Sequence, residues 1–395
     1  SAASLGVGLI LIRFASNTEY AYYVLAINLM ALMASLQGSF IGPTVGVRLI
    51  HDDLSDRMDM VGGLYRDQKW VTRVLALIAG GLAAALWLVN LISTHNAVVI
   101  AGVAVLLLAT LHREFFRMIL LCHHRTTDVL KADLVYVGVL LAVIVTSVFT
   151  SYIAVATAVG LILAAALGGW RMRQALNQFE PWNKTGMPGI LRQIAPLNFW
   201  VAVGSVIHWS FSQGYSYVVA GTLGLQAVAA IAATRMLMMP INLLSTGLGS
   251  MMLPVSSRWL KDHGPSHVFN RLAQISFALA SLSLIYSVLI WVLRHWIMDS
   301  VLNKHFEGSD SLIIYWSIAF TLVVLRDQMI HLPMSRGKFK AMTAMTAVSA
   351  SVAIAGSYFA MQHLGAPGAV IGIICGEVIQ VLGIYAIAYR ETRQA

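Results

Sequence analysis

The sequence has few charged residues and few cysteines. Only 11% of its 395 residues are charged, and two, Cys122 and Cys375, are cysteines. Soluble domains carry about 25% charged residues, because a water-facing surface is built largely from them. Both cysteines lie in or beside apolar stretches, so they predict no disulfide framework and do not indicate a redox compartment. The composition therefore excludes an ordinary soluble globular protein.

The sequence also lacks the short motifs of the common enzyme classes. It contains no HExxH, Walker A or GxSxG pattern. His123 and His124 are adjacent in a predicted loop, but no carboxylate or cysteine stands at metal-ligand spacing from them. No catalytic residue, cofactor or metal site is predicted, and the protein is not expected to be an enzyme. A membrane-embedded acyl- or glycosyltransferase stays open as an alternative, with these two histidines as its candidates.

Long apolar stretches occupy the whole chain instead. Hydrophobic residues make up 58% of the sequence, and the mean hydropathy is +0.76. About 20 apolar residues in a helix cross the ~30 Å hydrocarbon core, and continuous rather than alternating runs favour helices over barrel strands. The first run is too short to span, so the native chain is expected to begin earlier. Twelve transmembrane helices are predicted, at 1–14, 20–47, 74–92, 97–122, 134–150, 153–169, 194–214, 223–253, 272–293, 312–333, 342–361 and 369–388.

Similar features recur about 210 residues apart, which predicts two halves. Arg113 with Glu114, and Arg326 with Asp327, stand at corresponding places near the ends of two apolar runs, and a basic turn follows each. The longest inner connection is charged and contains two prolines. The sequence therefore predicts an N-lobe of six spans at 1–169, a cytoplasmic linker at 170–193, a C-lobe of six spans at 194–390 and a cytoplasmic tail at 391–395.

The basic residues predict the orientation. Most Lys and Arg residues fall in alternate loops, and the positive-inside rule places these loops and both termini in the cytoplasm. The net charge of +9 is therefore spread along one membrane face. No nucleic-acid partner is expected, because a binding patch would concentrate the charge in one place.

Five arginines fall within predicted spans, where each opposes insertion by roughly 2.5–3.5 kcal/mol. Buried guanidinium groups are retained where they bind an anion or pair with an acid. Arg13 is expected to reach outward to the headgroups. The predicted substrate-binding arginines are Arg113, Arg117, Arg235 and Arg326.

Alternatives stay open for these arginines. Arg113 and Arg117 could instead extend to the inner headgroups, and Arg326 could pair with Glu114 or Glu377. Adjacent helical residues diverge by about 100°, so Glu114 and Asp327 are expected to pair with other helices and not with the arginines beside them. Asp133 and Glu377 are each either a proton site or a paired acid. Pro240 predicts a kink after Arg235.

The seventh predicted span is unusually polar and aromatic. His208, Ser212 and Tyr215 fall on one helical face, and Trp209, Gln213 and Ser216 form a neighbouring stripe. Aromatic faces with hydrogen-bonding groups suit a sugar ligand, and the alternative is a belt at the membrane interface. The predicted cavity wall consists of His208, Trp209, Gln213 and Tyr215.

Two stretches carry a family resemblance. "IRFASNTEYAYYVLAINLMALMASLQGSFIGPTVGVR" (12–48) and "VVAGTLGLQAVAAIAATRMLMMPINLLSTGLGSMMLPVSSRW" (218–259) resemble the bacterial polysaccharide flippases of the multidrug/oligosaccharidyl-lipid/polysaccharide (MOP) exporter superfamily. The resemblance implies an all-α polytopic membrane protein with two six-helix bundles, related by a pseudo-twofold axis, around a central cavity. Its expected activity is the transfer of undecaprenyl-diphosphate-linked oligosaccharide to the outer leaflet of the bacterial inner membrane, for O-antigen, capsule or exopolysaccharide assembly.

The resemblance also implies partners and a mechanism. Expected partners are the lipid-linked glycan, membrane lipids, and polysaccharide polymerase and assembly proteins. Alternating access by rocking of the lobes is expected, with Gly and Pro interrupting the second and eighth spans. A cation-coupled multidrug antiporter of the same superfamily is the alternative, although the first span carries Arg13 and no acid. Candidate ion-coupling residues are Asp327, Glu377 and Glu114.

Overall fold

The computed structural model describes residues 2–51, 53–147, 153–182, 186, 188–306 and 308–393. The regular secondary structure of these residues is entirely helical, which confirms the all-α prediction. Two π-helical turns, Ser210–Gly214 and Ile297–Leu302, adjoin the α-helices. The α-helices are α1 (Ala2–Phe14), α2 (Asn17–His51), α3 (Leu54–Leu88), α4 (Thr94–Cys122), α5 (Thr126–Ser147), α6 (Ile153–Phe179), α7 (Ile190–Trp209), α8 (Tyr215–Thr222), α9 (Leu225–Met236), α10 (Met239–Trp296), α11 (Ser309–Met329), α12 (His331–Ser335), α13 (Phe339–Leu364) and α14 (Ala366–Arg393).

The helices match the twelve predicted spans. Among the described residues, nine helices are long and apolar enough to cross a membrane, two bent pairs of helices add two more, and Leu5–Phe14 is a shorter apolar helix. Leu77, Trp200 and Val292 each expose two thirds or more of their surface. Large apolar side chains on so many outer faces are stable only against lipid. The chain is a multi-pass membrane protein.

Bends separate the halves of two spans. Leu225–Met236 and Met239–Leu253 meet at 56°, which confirms the kink predicted at Pro240, because this proline has no N–H for the carbonyl of Met236. Ile190–Pro196 and Asn198–Thr222 meet at 75°, a bend that the sequence analysis did not predict. The second span, α2, continues through Pro43 without a break in the helix, and the bending expected there during transport stays a prediction.

Helices also extend into the predicted connections. The predicted linker at 170–193 is largely helical, because α6 continues to Phe179 and α7 begins at Ile190. The tail predicted from residue 391 is helical as far as Arg393. Within α10, Gly264 has φ +79°, a left-handed conformation that marks the turn between the eighth and ninth spans. Lys184, in the predicted linker, and residues 148–152, at the end of the predicted fifth span and the turn after it, lie outside the described residues.

The chain forms two compact units. The first unit is Ala26–Val206, and the second unit contains the described residues up to Leu25 and those from Ile207 onward. These boundaries differ from the predicted lobes because α1 packs within the second unit, where Arg13 donates to the carbonyls of Ser300 and Val301 at 3.2 and 3.0 Å. The pseudo-twofold relation between lobes stays a prediction.

Each unit has its own apolar core. In the first unit, Leu64, Phe115, Phe116 and Ile119 are fully buried together with residues of α2, α5 and α6. In the second unit, one cluster joins α10, α11, α12 and α14 around Leu272. These cores hold α4 and α11, the two helices that carry the paired Arg and acidic residues, in fixed positions.

Candidate functional site

A polar cavity of about 360 Å³ lies inside the second unit. Helices α7, α8, α9, α10, α11 and α14 and the first π-turn line it, and we call it the second-unit cavity. Of the residues predicted from the sequence, it brings together His208, Gln213, Tyr215, Arg235, Arg326, Asp327 and Glu377.

Arg326 forms ion pairs with two carboxylates in this cavity. Its Nη1 donates to both carboxylate oxygens of Glu377, at 2.7 and 2.9 Å, and its Nε and Nη2 donate to Asp327 Oδ1 at 3.1 and 2.8 Å. The pairing with Glu377 was one of the two alternatives open from the sequence. The expectation that Asp327 avoids the adjacent arginine is wrong, because the long guanidinium arm turns back across the 100° that separates the two side chains.

Neutral polar residues extend this network. Gln380 Oε1 accepts a hydrogen bond from Arg326 Nη1 at 3.3 Å, and Gln380 Nε2 donates to Thr346 Oγ1 at 3.1 Å. The sequence analysis missed both residues. Gln380 follows Glu377 by three positions and therefore shares its helical face, which is the signal that could have identified it.

Arg235 has a different environment in the same cavity. Its Nη1 donates to Gln213 Oε1 at 2.6 Å and to the Tyr215 hydroxyl at 3.3 Å. Its guanidinium carbon lies 5.9 Å from the ring centre of Tyr215 and 5.5 Å from that of Trp316. Among the described residues no carboxylate forms a salt bridge with Arg235. The Gln213 amide, the Tyr215 hydroxyl and the rings of Tyr215 and Trp316 therefore stabilise its charge.

Trp316 is a cavity residue that the sequence analysis missed. Only 3% of its surface is exposed, and its indole N–H donates to the carbonyl of Ile231 at 3.1 Å. This bond fixes the ring beside Arg235. The surrounding apolar run of α11 gave no sign that one of its aromatic residues would face a polar cavity.

The seventh span contributes several of its predicted polar residues to the cavity. His208, Ser212, Gln213 and Tyr215 all line the cavity, although Gln213 was assigned to the neighbouring stripe. Trp209 is not among the lining residues, and its ring packs against Tyr217 at 5.6 Å. His208, Ser212 and Tyr215 thus line the cavity together, as the helical pattern placed them on one face, and Gln213 joins them from within the π-turn at Ser210–Gly214, where the backbone departs from 3.6 residues per turn.

The remaining predicted residues lie in the first unit. Arg113 pairs with Glu114 at 2.8 Å and with Asp133 at 2.5 Å, while Arg117 lies 3.4 Å from Asp133 and 3.9 Å from Glu114. Arg113 therefore forms ion pairs instead of extending to headgroups, and it also stacks over Tyr136 at 4.2 Å. As with Asp327, the expectation that Glu114 avoids the adjacent arginine is wrong.

The two basic sites contain equal numbers of arginines and carboxylates but pair them differently, because in the second-unit cavity both carboxylates pair with Arg326 and neither forms a salt bridge with Arg235. In the first unit, two arginines face two carboxylates. A pocket of about 390 Å³ beside them is lined by Gln37, Glu114, Arg117 and Cys122, among others. That Arg113 shares one cavity with Arg235 and Arg326 stays a prediction.

His123, a candidate of the enzyme alternative, occupies the turn after α4. Its ring packs against Phe179 at 5.4 Å, and burial lowers the pKa of His123 below its usual value, in spite of the opposing effect of Glu180. Within the described ranges, no group of three or more His, Cys, Asp or Glu side chains could hold a metal ion.

Comparisons with known proteins identify the fold. No family model and no curated protein matches the sequence. Three similar solved structures are an inward-facing multidrug-resistance MATE family transporter of the MOP superfamily (12% identity, TM-score 0.73, 99% of this chain and 94% of that chain), the lipid II flippase MurJ in an inward closed conformation (11%, 0.79, 97% and 84%), and a Vibrio cholerae MATE transporter, VcmN, in its bent form (13%, 0.61, 100% and 94%). The fold is therefore that of MOP superfamily transporters, and these neighbours are transporters rather than enzymes.

Proposed function

We propose that this chain is a MOP superfamily transporter that moves an undecaprenyl-diphosphate-linked oligosaccharide from the cytoplasmic to the periplasmic leaflet of the bacterial inner membrane. The glycan would serve the assembly of O-antigen, capsule or exopolysaccharide. The observation that carries the proposal is the neutral environment of Arg235 inside the second-unit cavity, where Gln213 and Tyr215 hold the guanidinium without cancelling its charge.

The charges of the cavity favour an anionic cargo at Arg235. Arg326 is already neutralised by Glu377 and Asp327, so Arg235 is the arginine that retains its attraction for an anion. A guanidinium binds phosphate oxygens through charge-assisted, often paired hydrogen bonds. A diphosphate or an acidic sugar is therefore the matching ligand. Gln213, Ser212 and His208 beside it offer further hydrogen bonds, as sugar hydroxyls require.

The test is export of surface glycan by cells that carry an Arg235 variant. Arg235→Gln should abolish export at wild-type protein levels, because it removes the charge and retains polarity. Arg235→Lys should keep part of the export, since the charge survives without the planar fork. Arg271→Gln, on the exposed surface of α10, is the control and should export normally. Wild-type export by Arg235→Gln would refute the proposal.

A cation-coupled drug antiporter is the second candidate, and a specific observation favours it. Glu377 and Asp327 share one guanidinium, so this part of the cavity has one carboxylate more than it has cations. Such a site could take up a proton or a metal cation and couple its movement to transport. The structural neighbours include MATE transporters as well as the lipid II flippase MurJ. The fold is therefore compatible with either function.

Reconstituted vesicles distinguish the two functions. If the chain is a flippase, purified protein should transfer a lipid-linked oligosaccharide between leaflets and should not expel a cationic dye under a proton or sodium gradient. Gradient-driven dye efflux that Glu377→Gln abolishes, without any transfer of the lipid-linked oligosaccharide, would instead establish the antiporter.

A further inference from the structure

A second group of cations lies in the first unit and includes none of the predicted site residues. Lys69 Nζ lies 5.7 Å from the ring centre of Tyr65. The guanidinium carbon of Arg173 lies 5.9 Å from the same ring and 5.7 Å from that of Trp182. Arg73, one helical turn beyond Lys69, also acts electrostatically on Tyr65. We call these five residues the basic–aromatic cluster.

The rings of the cluster are held in place. Tyr65 and Trp182 meet edge to face at 4.9 Å, and Phe116 packs against both, at 5.3 and 5.9 Å. The Tyr65 hydroxyl lies 3.4 Å from His112 Nδ1. Trp182 is 7% exposed, and its buried indole N–H has no acceptor among the described residues. The cluster is therefore a rigid surface with one donor unsatisfied.

Nearby carboxylates do not neutralise these cations. Asp67, on the same helix, accepts hydrogen bonds from the backbone N–H groups of Gly189 and Leu191, at 3.1 and 3.0 Å, and so caps the start of α7. Glu180 pairs with Arg57 at 3.3 Å. In the part of the chain that the structure describes, Lys69, Arg73 and Arg173 form no salt bridge. Lys69 and Arg173 therefore lie against the rings, and Arg73 acts on Tyr65 from nearby, while none of the three has a salt-bridge partner among the described residues.

The cluster stands where the apolar parts of two helices end. Lys69 and Arg73 precede the apolar run at 74–88 in α3, and Arg173 follows the apolar run of α6 at 153–169. Both helices are long and apolar enough to span. The cations therefore lie at the depth of the lipid headgroups, where basic pockets between transmembrane helices bind phosphate.

We propose that the basic–aromatic cluster binds the phosphate group of an anionic membrane lipid. The guanidinium groups and the ammonium group would donate to the phosphate oxygens, and the partly exposed ring of Tyr65, supported from behind by the buried Trp182, would pack against the glycerol and upper acyl carbons. This site does not depend on the identity of the cargo, so failure of the proposed function would leave it standing.

The test measures binding of phosphatidylglycerol to the purified full-length protein by native mass spectrometry, with phosphatidylcholine as the uncharged background. Wild type should retain the anionic lipid, and Lys69→Gln with Arg173→Gln should weaken its binding about tenfold or more, since each cation contributes separately. Arg258→Gln with Lys261→Gln is the matched control, because it removes two exposed cations of α10, and it should bind like wild type.

Three outcomes would overturn the proposal. One is equal binding of phosphatidylglycerol by wild type and by the cluster variant. Another is an equal loss in the control variant, which would reduce the effect to net charge. The third is displacement of the lipid by inorganic phosphate or pyrophosphate at equal concentration, which would assign the site to a soluble anion. If the double variant does not fold, Arg73→Gln alone should still weaken binding measurably, and wild-type affinity there would also refute the site.

Discussion

Arg113 and Arg326 occupy corresponding places in the two halves of the sequence, yet carboxylates from different helices neutralise them. Asp133 of α5 pairs with Arg113, whereas Glu377 of α14 pairs with Arg326. The two arginines are 213 residues apart, and the residue 213 positions after Asp133 is Thr346. Thr346 has no charge, and it is linked to Arg326 through Gln380, which hydrogen-bonds to both. A buried guanidinium needs a counter-charge, and the two halves satisfy this requirement differently.

The buried Arg326–Glu377 ion pair is expected to stabilise the fold more than the partly exposed Arg113–Glu114 pair. Glu377→Ala should lower the free energy of unfolding by about 3 kcal/mol, near the low end for a broken buried pair, because Asp327 still contacts Arg326. Glu114→Ala should cost about 1 kcal/mol or less, because Glu114 is partly exposed and Arg113 keeps Asp133. Denaturant unfolding of both variants in detergent measures the difference.

Replacing the whole pair is the control for this prediction. Arg326→Met with Glu377→Met and Asp327→Asn should unfold close to wild type, because these side chains fill the site and leave no unpaired charge there. Equal stability of Glu377→Ala and wild type would mean that the ion pair does not stabilise the fold.

At the element scale, the start of α7 is fixed against α3. Asp67 caps its first turn, and Ile190 and Ile194 join the core of the first unit. Gly186 lies so close to α3 that a Cβ there would clash with the backbone of Asp59 and Gly63. Gly186, in the predicted linker, therefore packs closely against α3.

Gly186→Ala tests this packing. The added methyl group must displace either α3 or the segment itself, so the midpoint of thermal unfolding should fall by several degrees. Gly204→Ala is the matched control, because nothing lies within 4 Å of a Cβ at this helical position. It should leave the midpoint unchanged or raise it, as alanine favours helix over glycine. Equal midpoints for both variants would contradict the close packing.

On the scale of the whole molecule, compact units and sequence repeats follow different boundaries. The chain leaves the second unit within α2, after Leu25, and returns to it within α7, at Ile207. Each crossing lies inside a helix. The Tyr217 hydroxyl bonds to the carbonyl of Leu25 in the second unit, whereas Asn198 of α7 donates to the carbonyl of Phe40 in the first unit. These polar contacts between distant parts of the chain agree with the division into units.

The sequence by itself determined the features that depend on local chemistry. Hydrophobic length determined the membrane class and the apolar segments, and the missing N–H of Pro240 determined the bend in the eighth span. The cost of a charge in lipid singled out Arg235 and Arg326 as residues with a special environment. Each of these conclusions needs only a residue and its neighbours in the chain.

Only the tertiary structure decided which groups meet. It paired Glu377 and Asp327 with Arg326, gave Arg235 neutral partners, and placed Trp316 in the cavity. It also brought cations of α3 and α6 together around Tyr65 and Trp182. These outcomes depend on contacts between residues far apart in the chain, and helical periodicity places a side chain on a face without specifying its partner.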